Sequence, residues 1–284
     1  GSSMEAVHIA AGKIAMGSGK MFICGGVESM TRVKTGFDSV PYPFSEKQNP
    51  NVYFSMGTTA ENVAKKYKIS RTEQQEFSIL SHQKAYNAQT NGNFKSEIVK
   101  IYDCEKDDNI RPNSDQEKLD KLKLAFDSEG TVTAATSSPL TDGAAATLIC
   151  EENYAKENNL PILGRIISTA VEGCDPNFMG LGPIFASKKA LKRANLSINK
   201  IDIVELNEAF ASQALACIKD LGIDINKVNI DGGALALGHP LGATGARITG
   251  KAAMLLRREN KKYALSTQCI GLGMGIATII ESIN

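Results

Sequence analysis

A glycine-dense segment, GGALALGHPLGATGAR at Gly232–Arg247, constrains the fold of this chain more than any other stretch. It places His239 between a glycine and a proline, and small residues follow directly. Glycine lets the backbone approach a ligand closely, and a helix that begins near a proline directs free N–H groups toward developing negative charge. A lone histidine is more often structural, but this setting favours a functional imidazole. We therefore predict that His239 acts on a ligand near the start of a helix.

A second glycine-rich stretch, CIGLGMGIA, begins about thirty residues later with Cys269. Gly271 offers a backbone N–H that no side chain obstructs. A dinucleotide site is a poor interpretation of these glycines, because no βαβ unit follows them before the chain ends. An imidazole and a thiol on glycine-lined backbone suit proton transfer beside a nucleophile and an oxyanion.

Asn207 directly follows the apolar strand predicted at 201–206. Ligands of α/β folds bind at the carboxyl ends of strands, where an amide can orient a water or a carbonyl oxygen. The alternative is that Asn207 only caps the next helix.

The rest of the chain alternates helices and short strands, which is typical of a layered α/β domain. Apolar spacing predicts a helix at 1–20 and helical structure at 57–89, where Ser70 and Glu73 form a capping box. The segment 31–56 is predicted to be irregular, and 142–146 to be a tight turn or helix start. Further predicted strands are 21–24, 97–102, 131–135, 146–150, 162–172, 228–231, 263–268 and 275–281, and further helices are 183–195, 208–221 and 242–258.

Charge and cysteine usage exclude several classes of protein. The net charge of +1 gives no reason to expect a nucleic-acid partner or binding to an anionic membrane. No apolar run is long enough to span a bilayer, and no signal-peptide pattern opens the chain. The six cysteines are scattered and, with three histidines, show no zinc spacing, so no metal is predicted. Unpaired cysteines in apolar stretches suit a reducing compartment, and we predict a cytoplasmic protein.

Taken together, the motifs resemble the thiolase family. The resemblance rests on Asn207-Glu208-Ala209-Phe210, Gly238-His239-Pro240 and Cys269-x-Gly271 in this order and spacing, and it extends over the whole chain. The segments TVTAATSSPLTDGAAA at 131–146 and MGTTAENVA at 56–64 are also similar. The two ends of the chain look most like bacterial degradative 3-ketoacyl-CoA thiolases, which act in fatty-acid β-oxidation.

The resemblance implies an α/β thiolase fold with α-β-α-β-α layering, in which the N-terminal half is partial and the C-terminal half complete. The domains would be 1–36 with 128–157 for the remainder of the N-terminal domain, 37–127 for a loop subdomain, and 158–284 for the C-terminal domain. Asp231 departs from the family pattern, because thiolases often have asparagine before this Gly-Gly pair.

The resemblance also implies the chemistry: acyl transfer between acyl-CoA and CoA through a cysteine acyl-enzyme. His239 would activate the nucleophilic cysteine and bind the thioester oxygen, and Cys269 would be the second acid and base. Asn207 would hold a water in one oxyanion hole, and the N–H of Gly271 would form half of the other. Coenzyme A would be a substrate, with no metal or prosthetic group.

The positions for coenzyme A follow from the same resemblance. Ser138 matches a serine that meets the pantetheine, Met56 matches a pocket residue, and Arg111 and Leu122 match positions near the adenine. For Arg111 and Leu122, a solvated charge and a core leucine remain alternatives. The implied partners are a second copy or three further copies of the chain, and a hydratase/dehydrogenase subunit.

Gly1-Ser2-Ser3-Met4 matches the residues that follow the nucleophilic cysteine of thiolases. That cysteine would therefore lie one position before Gly1 and be missing from this chain. Truncation, proteolysis, or a break at a modified cysteine would each explain the start, and Gly1–Ser3 could instead be an expression remnant. A catalytically inactive thiolase fragment that binds coenzyme A or acts as a scaffold is the alternative function.

Overall fold

The computed structural model describes residues 1–33, 47–48 and 50–283, so most of the segment predicted to be irregular lies outside it. The helices are α1 (Ser2–Ala15), α2 (Met56–Tyr67), α3 (Arg71–Thr90), α4 (Gln116–Asp120), α5 (Glu152–Glu157), α6 (Gly182–Arg193), α7 (Ala211–Leu221), α8 (Ala234–Leu237) and α9 (Thr244–Arg258). The strands are β1 (Met21–Ser29), β2 (Asp142–Cys150), β3 (Arg165–Gly173), β4 (Ile203–Leu206), β5 (Tyr263–Ile270) and β6 (Met274–Glu281).

The strands form two sheets. β1 and β2 make an antiparallel pair in which Met21 lies opposite Cys150 and Ser29 opposite Asp142. The larger sheet has the order β3-β6-β5-β4, and in it only β4 and β5 run parallel. Because β4 and β5 are parallel, Asn207 after β4 and Cys269 near the end of β5 lie at the same edge of this sheet.

Helices α1 and α9 lie between the two sheets. Val7 and Ala10 of α1 pack on Cys24 of β1, while Met4 packs against α9 and β6. The two helices cross so closely that a Cβ at Gly245 would lie 2.2 Å from the backbone nitrogen of Met4. Only glycine fits at this crossing, which explains one of the glycines that follow His239.

Helices α6 and α7 cover the other face of the larger sheet and bury the largest apolar cluster among the described residues, which includes Leu191, Ala214, Leu265 and Ile279. The described residues therefore form four layers in the order sheet, helices, sheet, helices. This order agrees with the predicted layering of an α/β fold.

The outer face of the β1–β2 sheet is apolar and exposed. Ile23, which is 81% exposed, lies opposite Leu148, and Val27 is 72% exposed on the same face. Contiguous apolar surface of this kind marks an interaction site in most proteins.

The capping box is confirmed, since Ser70 Oγ accepts from the backbone nitrogen of Glu73 and Glu73 Oε2 accepts from that of Ser70 at 2.6 Å. The predicted strand at 97–102 is wrong, because its pairing is limited to one isolated bridge between Ile101 and Cys104. The segment is held by side chains instead: Glu97 binds Lys251 at 2.6 Å. Within the described residues, no neighbouring strand pairs with this segment, and the local sequence does not indicate whether one is available.

Three further strand boundaries differ from prediction. Residues 134–136 form a 3₁₀ turn rather than part of a strand, and Val228 makes only a single bridge to Val204. The predicted turn or helix start at 142–146 is instead the first half of β2. Small residues are permitted in both conformations, and pairing with β1 decides between them.

Helices α2 and α3, within the predicted loop subdomain, contribute Val63 and Phe77 to the core beside α7. The boundaries of that subdomain stay a prediction. Among the helices of the described residues, none combines the length and apolar character that crossing a membrane requires.

Candidate active site

Asn207 continues the line of β4 beyond its last residue, and its backbone nitrogen donates to the carbonyl oxygen of Thr267 at 2.9 Å. The side chain is buried, and its oxygen has no hydrogen-bond partner within the described part of the chain. The alternative role as a helix cap is wrong, because α7 begins at Ala211 and Phe210 precedes it as the N-cap residue. Asn207 is therefore a buried amide with unused hydrogen-bonding capacity.

His239 is held at both its backbone and its ring. Its backbone nitrogen donates to Thr141 Oγ1 at 3.2 Å, and its Nδ1 lies 2.7 Å from Thr244 Oγ1. The preceding Gly238 has φ +94°, and a Cβ there would lie 2.4 Å from Thr141 Oγ1, so glycine is required. The loop runs from α8 to α9, which begins at Thr244 and not at 242 as predicted.

Cys269 lies near the end of β5, which joins β6 through a three-residue loop, Gly271-Leu272-Gly273. Its thiol is buried in a small apolar cluster with Met179 and Ala209. Partly buried Met56 and Phe210 pack on the same cluster. Gly271 stays open, since the atom nearest to a Cβ built there is the sulfur of Met56 at 3.9 Å.

These groups belong to one site. Asn207 Nδ2 lies 3.3 Å from His239 Nε2. The start of α1 adjoins two of these segments: a Cβ at Gly1 would lie 2.5 Å from the side chain of Ile270, and Ser3 Oγ accepts from the backbone nitrogen of Ala246 at 2.8 Å. The structure thus brings together an amide, an imidazole and a thiol from three separate segments, and α1 begins beside them.

Burial sets the protonation of the two titratable groups. It lowers the pKa of His239 to about 3, with the charge of Arg247 adding to the effect. It also raises the pKa of Cys269 to about 11. At neutral pH the imidazole is therefore an uncharged base and the thiol is protonated.

Glu208 supports the site from beneath. Its buried carboxylate accepts from Ser81 Oγ at 2.7 Å, from Asn229 Nδ2 at 2.7 Å and from the backbone nitrogen of Leu235 at 3.1 Å. It thereby links the residue after Asn207 to α3 and to the short helix that leads to His239. In the sequence, Glu208 stands out only as part of the Asn-Glu-Ala-Phe motif, and the motif alone indicates no role for it.

The predicted coenzyme A residues fall into two groups. Ser138 donates its backbone N–H to the carbonyl oxygen of Ala209 at 3.0 Å, and Met56 packs beside Cys269, so both lie at the site. Arg111 and Leu122 are exposed; the backbone nitrogen of Arg111 donates to His82 Nδ1 at 3.1 Å, and the carbonyl oxygen of Leu122 accepts from Arg71 at 2.7 Å. Exposure makes the alternative of a core leucine wrong for Leu122, and the contacts of Arg111 and Leu122 leave both apart from the catalytic groups.

All three imidazoles are expected to stay neutral between pH 8 and pH 5. Burial lowers the pKa of His8 and of His82 to about 4, and that of His239 to about 3, against about 6.5 in an unfolded chain. The unfolded chain therefore binds more protons below pH 6.5, and the stability these residues contribute is full above that pH and lost as the pH falls toward 4.

The NMR shift of each imidazole Cε1–H, followed from pH 8 to pH 5, measures this directly. A titration midpoint near pH 6.5 for any of the three rings would contradict the structure. Single rings are followed because the pH dependence of unfolding also contains Glu205, whose pKa burial raises to about 8. The stability that Glu205 contributes changes with pH in the direction opposite to that of the histidines.

Comparison with known proteins agrees with this geometry. The model for the thiolase N-terminal domain matches residues 1–153, and the model for the thiolase C-terminal domain matches 160–282. The 3-ketoacyl-CoA thiolase of Shewanella loihica is 48% identical, over 99% of this chain and 76% of the relative. That of Vibrio vulnificus is 46% identical over the same shares of the two chains.

Solved structures give the same result. Human mitochondrial 3-ketoacyl-CoA thiolase in complex with CoA superposes with a TM-score of 0.91 at 40% identity, over 100% of this chain and 76% of that chain. The dimeric peroxisomal thiolase of Saccharomyces cerevisiae superposes with a TM-score of 0.92 at 43% identity, over 99% and 74%. With both domain models, these relatives and the two-sheet layering in agreement, the chain belongs to the thiolase family.

Proposed function

We propose that His239, Cys269, Asn207 and Gly271 carry out the acyl transfer of the thiolase family on 3-ketoacyl-CoA substrates. The reaction is thiolytic cleavage by CoA or its reverse, the condensation of two acyl-CoA molecules. The observation that carries the proposal is the meeting of Asn207 and His239 at 3.3 Å, near the start of α1, where Gly1 lies against Ile270, the residue after Cys269. The names of the relatives support 3-ketoacyl-CoA as the substrate class.

His239 is the base in this proposal. Its ring is only partly buried, whereas Asn207 beside it is almost fully enclosed, so His239 is the member of the pair that a reactant can reach. An uncharged imidazole can take the proton of a thiol and return it to a leaving group. A thiolate formed beside His239 is the nucleophile that attacks the keto carbon.

Cys269 is the second proton carrier. With its pKa raised to about 11, the thiol holds its proton at neutral pH and can give it to the enolate that leaves when the carbon–carbon bond breaks. In the condensing direction the same sulfur, as thiolate, removes the proton next to the thioester carbonyl.

Asn207 and Gly271 stabilise negative charge on oxygen. The Asn207 carbonyl oxygen is buried with its hydrogen-bonding capacity unused, which suits an ordered water that donates toward the thioester oxygen beside His239. The unobstructed N–H of Gly271 supplies one donor of a second oxyanion hole close to Cys269. Mutational losses for single donors of this kind are about 10²–10³-fold in kcat.

Ser138 and Met56 are the residues that we expect to meet the pantetheine arm of coenzyme A, since both adjoin the catalytic groups. Arg111 and Leu122 remain candidates for the adenine end, where an exposed guanidinium suits a phosphate. Homodimer or homotetramer formation is also proposed, and the exposed apolar face around Ile23 and Leu148 suits a subunit contact. Association with a hydratase/dehydrogenase subunit and a cytoplasmic location stay predictions.

The nucleophile is tested through the position before Gly1, because Gly1 lies against Ile270, next to Cys269, and Ser3 binds the start of α9 close to His239. In the test protein, the part of the Shewanella loihica relative that precedes the aligned region is joined to Gly1 through a cysteine. Loss of 3-ketoacyl-CoA absorbance and release of acetyl-CoA are measured. We expect CoA-dependent cleavage with cysteine at the junction and none with serine.

Coenzyme A binding to the chain alone, measured by calorimetry, separates the two candidate functions. One molecule bound per chain together with turnover of the cysteine-junction protein supports the thiolase activity. Binding without turnover by a folded cysteine-junction protein would contradict it and favour the inactive, coenzyme A-binding alternative.

A further inference from the structure

Thr244 contacts the ring of His239 and can influence which of its two nitrogens carries the proton. It is the first residue of α9, is fully buried, and its hydroxyl lies 2.7 Å from His239 Nδ1. The same hydroxyl donates to the carbonyl oxygen of Pro240 at 3.0 Å. A hydroxyl has one proton to donate and can accept as well, so a bond donated to Pro240 leaves the oxygen free to accept from the ring.

The opposite side of the ring points to the same arrangement. His239 Nε2 faces the amide nitrogen of Asn207 at 3.3 Å, and an amide nitrogen only donates hydrogen bonds. Nε2 must then be the unprotonated nitrogen, and Nδ1 carries the proton.

The two neutral forms of the ring differ in how many of these bonds they satisfy. With the proton on Nδ1, the amide of Asn207 donates to Nε2, Nδ1 donates to Thr244, and Thr244 donates to Pro240. With the proton on Nε2, two N–H groups face each other at Asn207, and Thr244 must turn away from Pro240 to donate to Nδ1. Three bonds in the first form thus compare with one in the second.

We propose that Thr244 is a positioning residue that fixes His239 as the Nδ1–H tautomer and keeps Nε2 unprotonated, so that Nε2 can accept a proton when the reacting thiol takes the place of the Asn207 amide. The inference rests on the proposed function for the use of that nitrogen, because a base needs an unprotonated nitrogen on the side of the reacting thiol. Thr244 itself touches neither the thiol nor the thioester. Its effect passes through the ring that it orients.

The spacing of Thr244 from His239 is the sequence feature behind this role, but its meaning becomes clear only from the structure. Thr244 lies five residues after His239, and the turn that starts at Pro240 brings the two together. The backbone N–H groups of Ala243 and Thr244 both bind Pro240 O at 3.0 Å, which fixes the turn whatever side chain follows. The hydroxyl is therefore available for the ring rather than needed to build the turn.

The test is the tautomer of His239, read from long-range ¹H–¹⁵N NMR correlations of protein labelled with ¹⁵N-histidine. Three histidines give a resolvable spectrum, and His82 is an internal reference of the opposite form. Its Nδ1 accepts from the backbone nitrogen of Arg111 at 3.1 Å, so His82 must carry its proton on Nε2. We expect Nδ1–H for His239 and Nε2–H for His82 in the same sample.

Two variants separate the hydroxyl from the space it fills. Thr244→Val keeps the branched shape and removes the hydroxyl, and it is expected to shift His239 to a mixture of tautomers or to Nε2–H. Thr244→Ser keeps the hydroxyl and is expected to retain Nδ1–H. His82 should be unchanged in both variants. In the cysteine-junction protein, Thr244→Val should lower kcat about tenfold or more with little change in KM, and Thr244→Ser should restore most of it.

A ring with its proton on Nε2 in the unmutated chain would overturn the inference, since the Asn207 oxygen would then have to face the ring. An unchanged Nδ1–H signal in Thr244→Val would also overturn it. The spectrum of the unmutated protein decides the matter even if a variant fails to fold. Absence of turnover in every form would instead contradict the proposed function, while the tautomers would still decide the role of Thr244.

Discussion

Replacing His239 with alanine is expected to lower kcat for cleavage of a 3-ketoacyl-CoA by about 10²–10⁴-fold, measured on the cysteine-junction protein. Without the imidazole, nothing beside the start of α1 takes the thiol proton, and the oxyanion hole loses the partner that lies 3.3 Å from Asn207. Coenzyme A affinity should change much less, because binding is assigned to Ser138 and Met56.

The matched control for this variant is His8→Gln. His8 is also a buried histidine of lowered pKa, but its Nε2 binds Thr278 Oγ1 at 2.8 Å in the layer between the sheets. Its replacement should change the melting temperature more than kcat. A His239→Ala protein that folds normally, by circular dichroism, and keeps a kcat near that of the parent would show that another group serves as the base.

Replacing Asp231 with alanine is expected to lower the free energy of unfolding by about 3–5 kcal/mol, the usual cost of leaving buried charges without their partner. Asp231 Oδ2 lies 2.5 Å from Lys251 Nζ, and Arg258 binds both carboxylate oxygens. Burial acts against the charged form, yet hydrogen bonds from Arg258 and Lys251 hold the pKa of Asp231 below its ordinary value. Lys251 is itself only 4% exposed at its side chain, so its charge cannot turn to water.

Urea unfolding at pH 7 measures this loss. Asp231→Asn, which places the residue common in thiolases, keeps the shape and an acceptor for Arg258, so a smaller loss is expected. Glu117→Ala removes an exposed ion pair with Lys121 and should cost no more than about 1 kcal/mol. Equal losses for Asp231→Ala and Glu117→Ala would show that the buried cluster contributes no more than a surface pair.

This cluster also explains why the departure from the family pattern at Asp231 is tolerated. An aspartate in place of asparagine adds a buried negative charge next to the segment that leads to His239. The compensating positive charge comes from Lys251 and Arg258, about two and four helical turns into α9. In the sequence alone, Asp231 is only a deviation from the family pattern. In the folded chain it is an ion-paired group that connects the segment before α8 to α9.

The catalytic candidates were predictable because their local sequence is unusual. The glycines around His239 and after Cys269, and the position of Asn207 after a strand, are signals that do not depend on distant residues. The same holds for the capping box of Ser70 and Glu73, which is complete within four residues. The strands predicted at 97–102 and 131–135 were wrong, because a strand needs a partner strand and the local sequence does not show whether one is available.

Local sequence is enough to indicate the groups available for chemistry, the family, and the helices and strands whose caps and apolar spacing lie within a few residues. The folded chain is needed to show which groups meet. Ser138 and Met56 adjoin the site, Arg111 and Leu122 contact His82 and Arg71 instead, and Thr244 contacts the ring of His239. The difference is one of distance along the chain. Backbone preferences act over a few residues, whereas hydrogen bonds, desolvation and close packing act between any segments that the fold brings within a few ångströms.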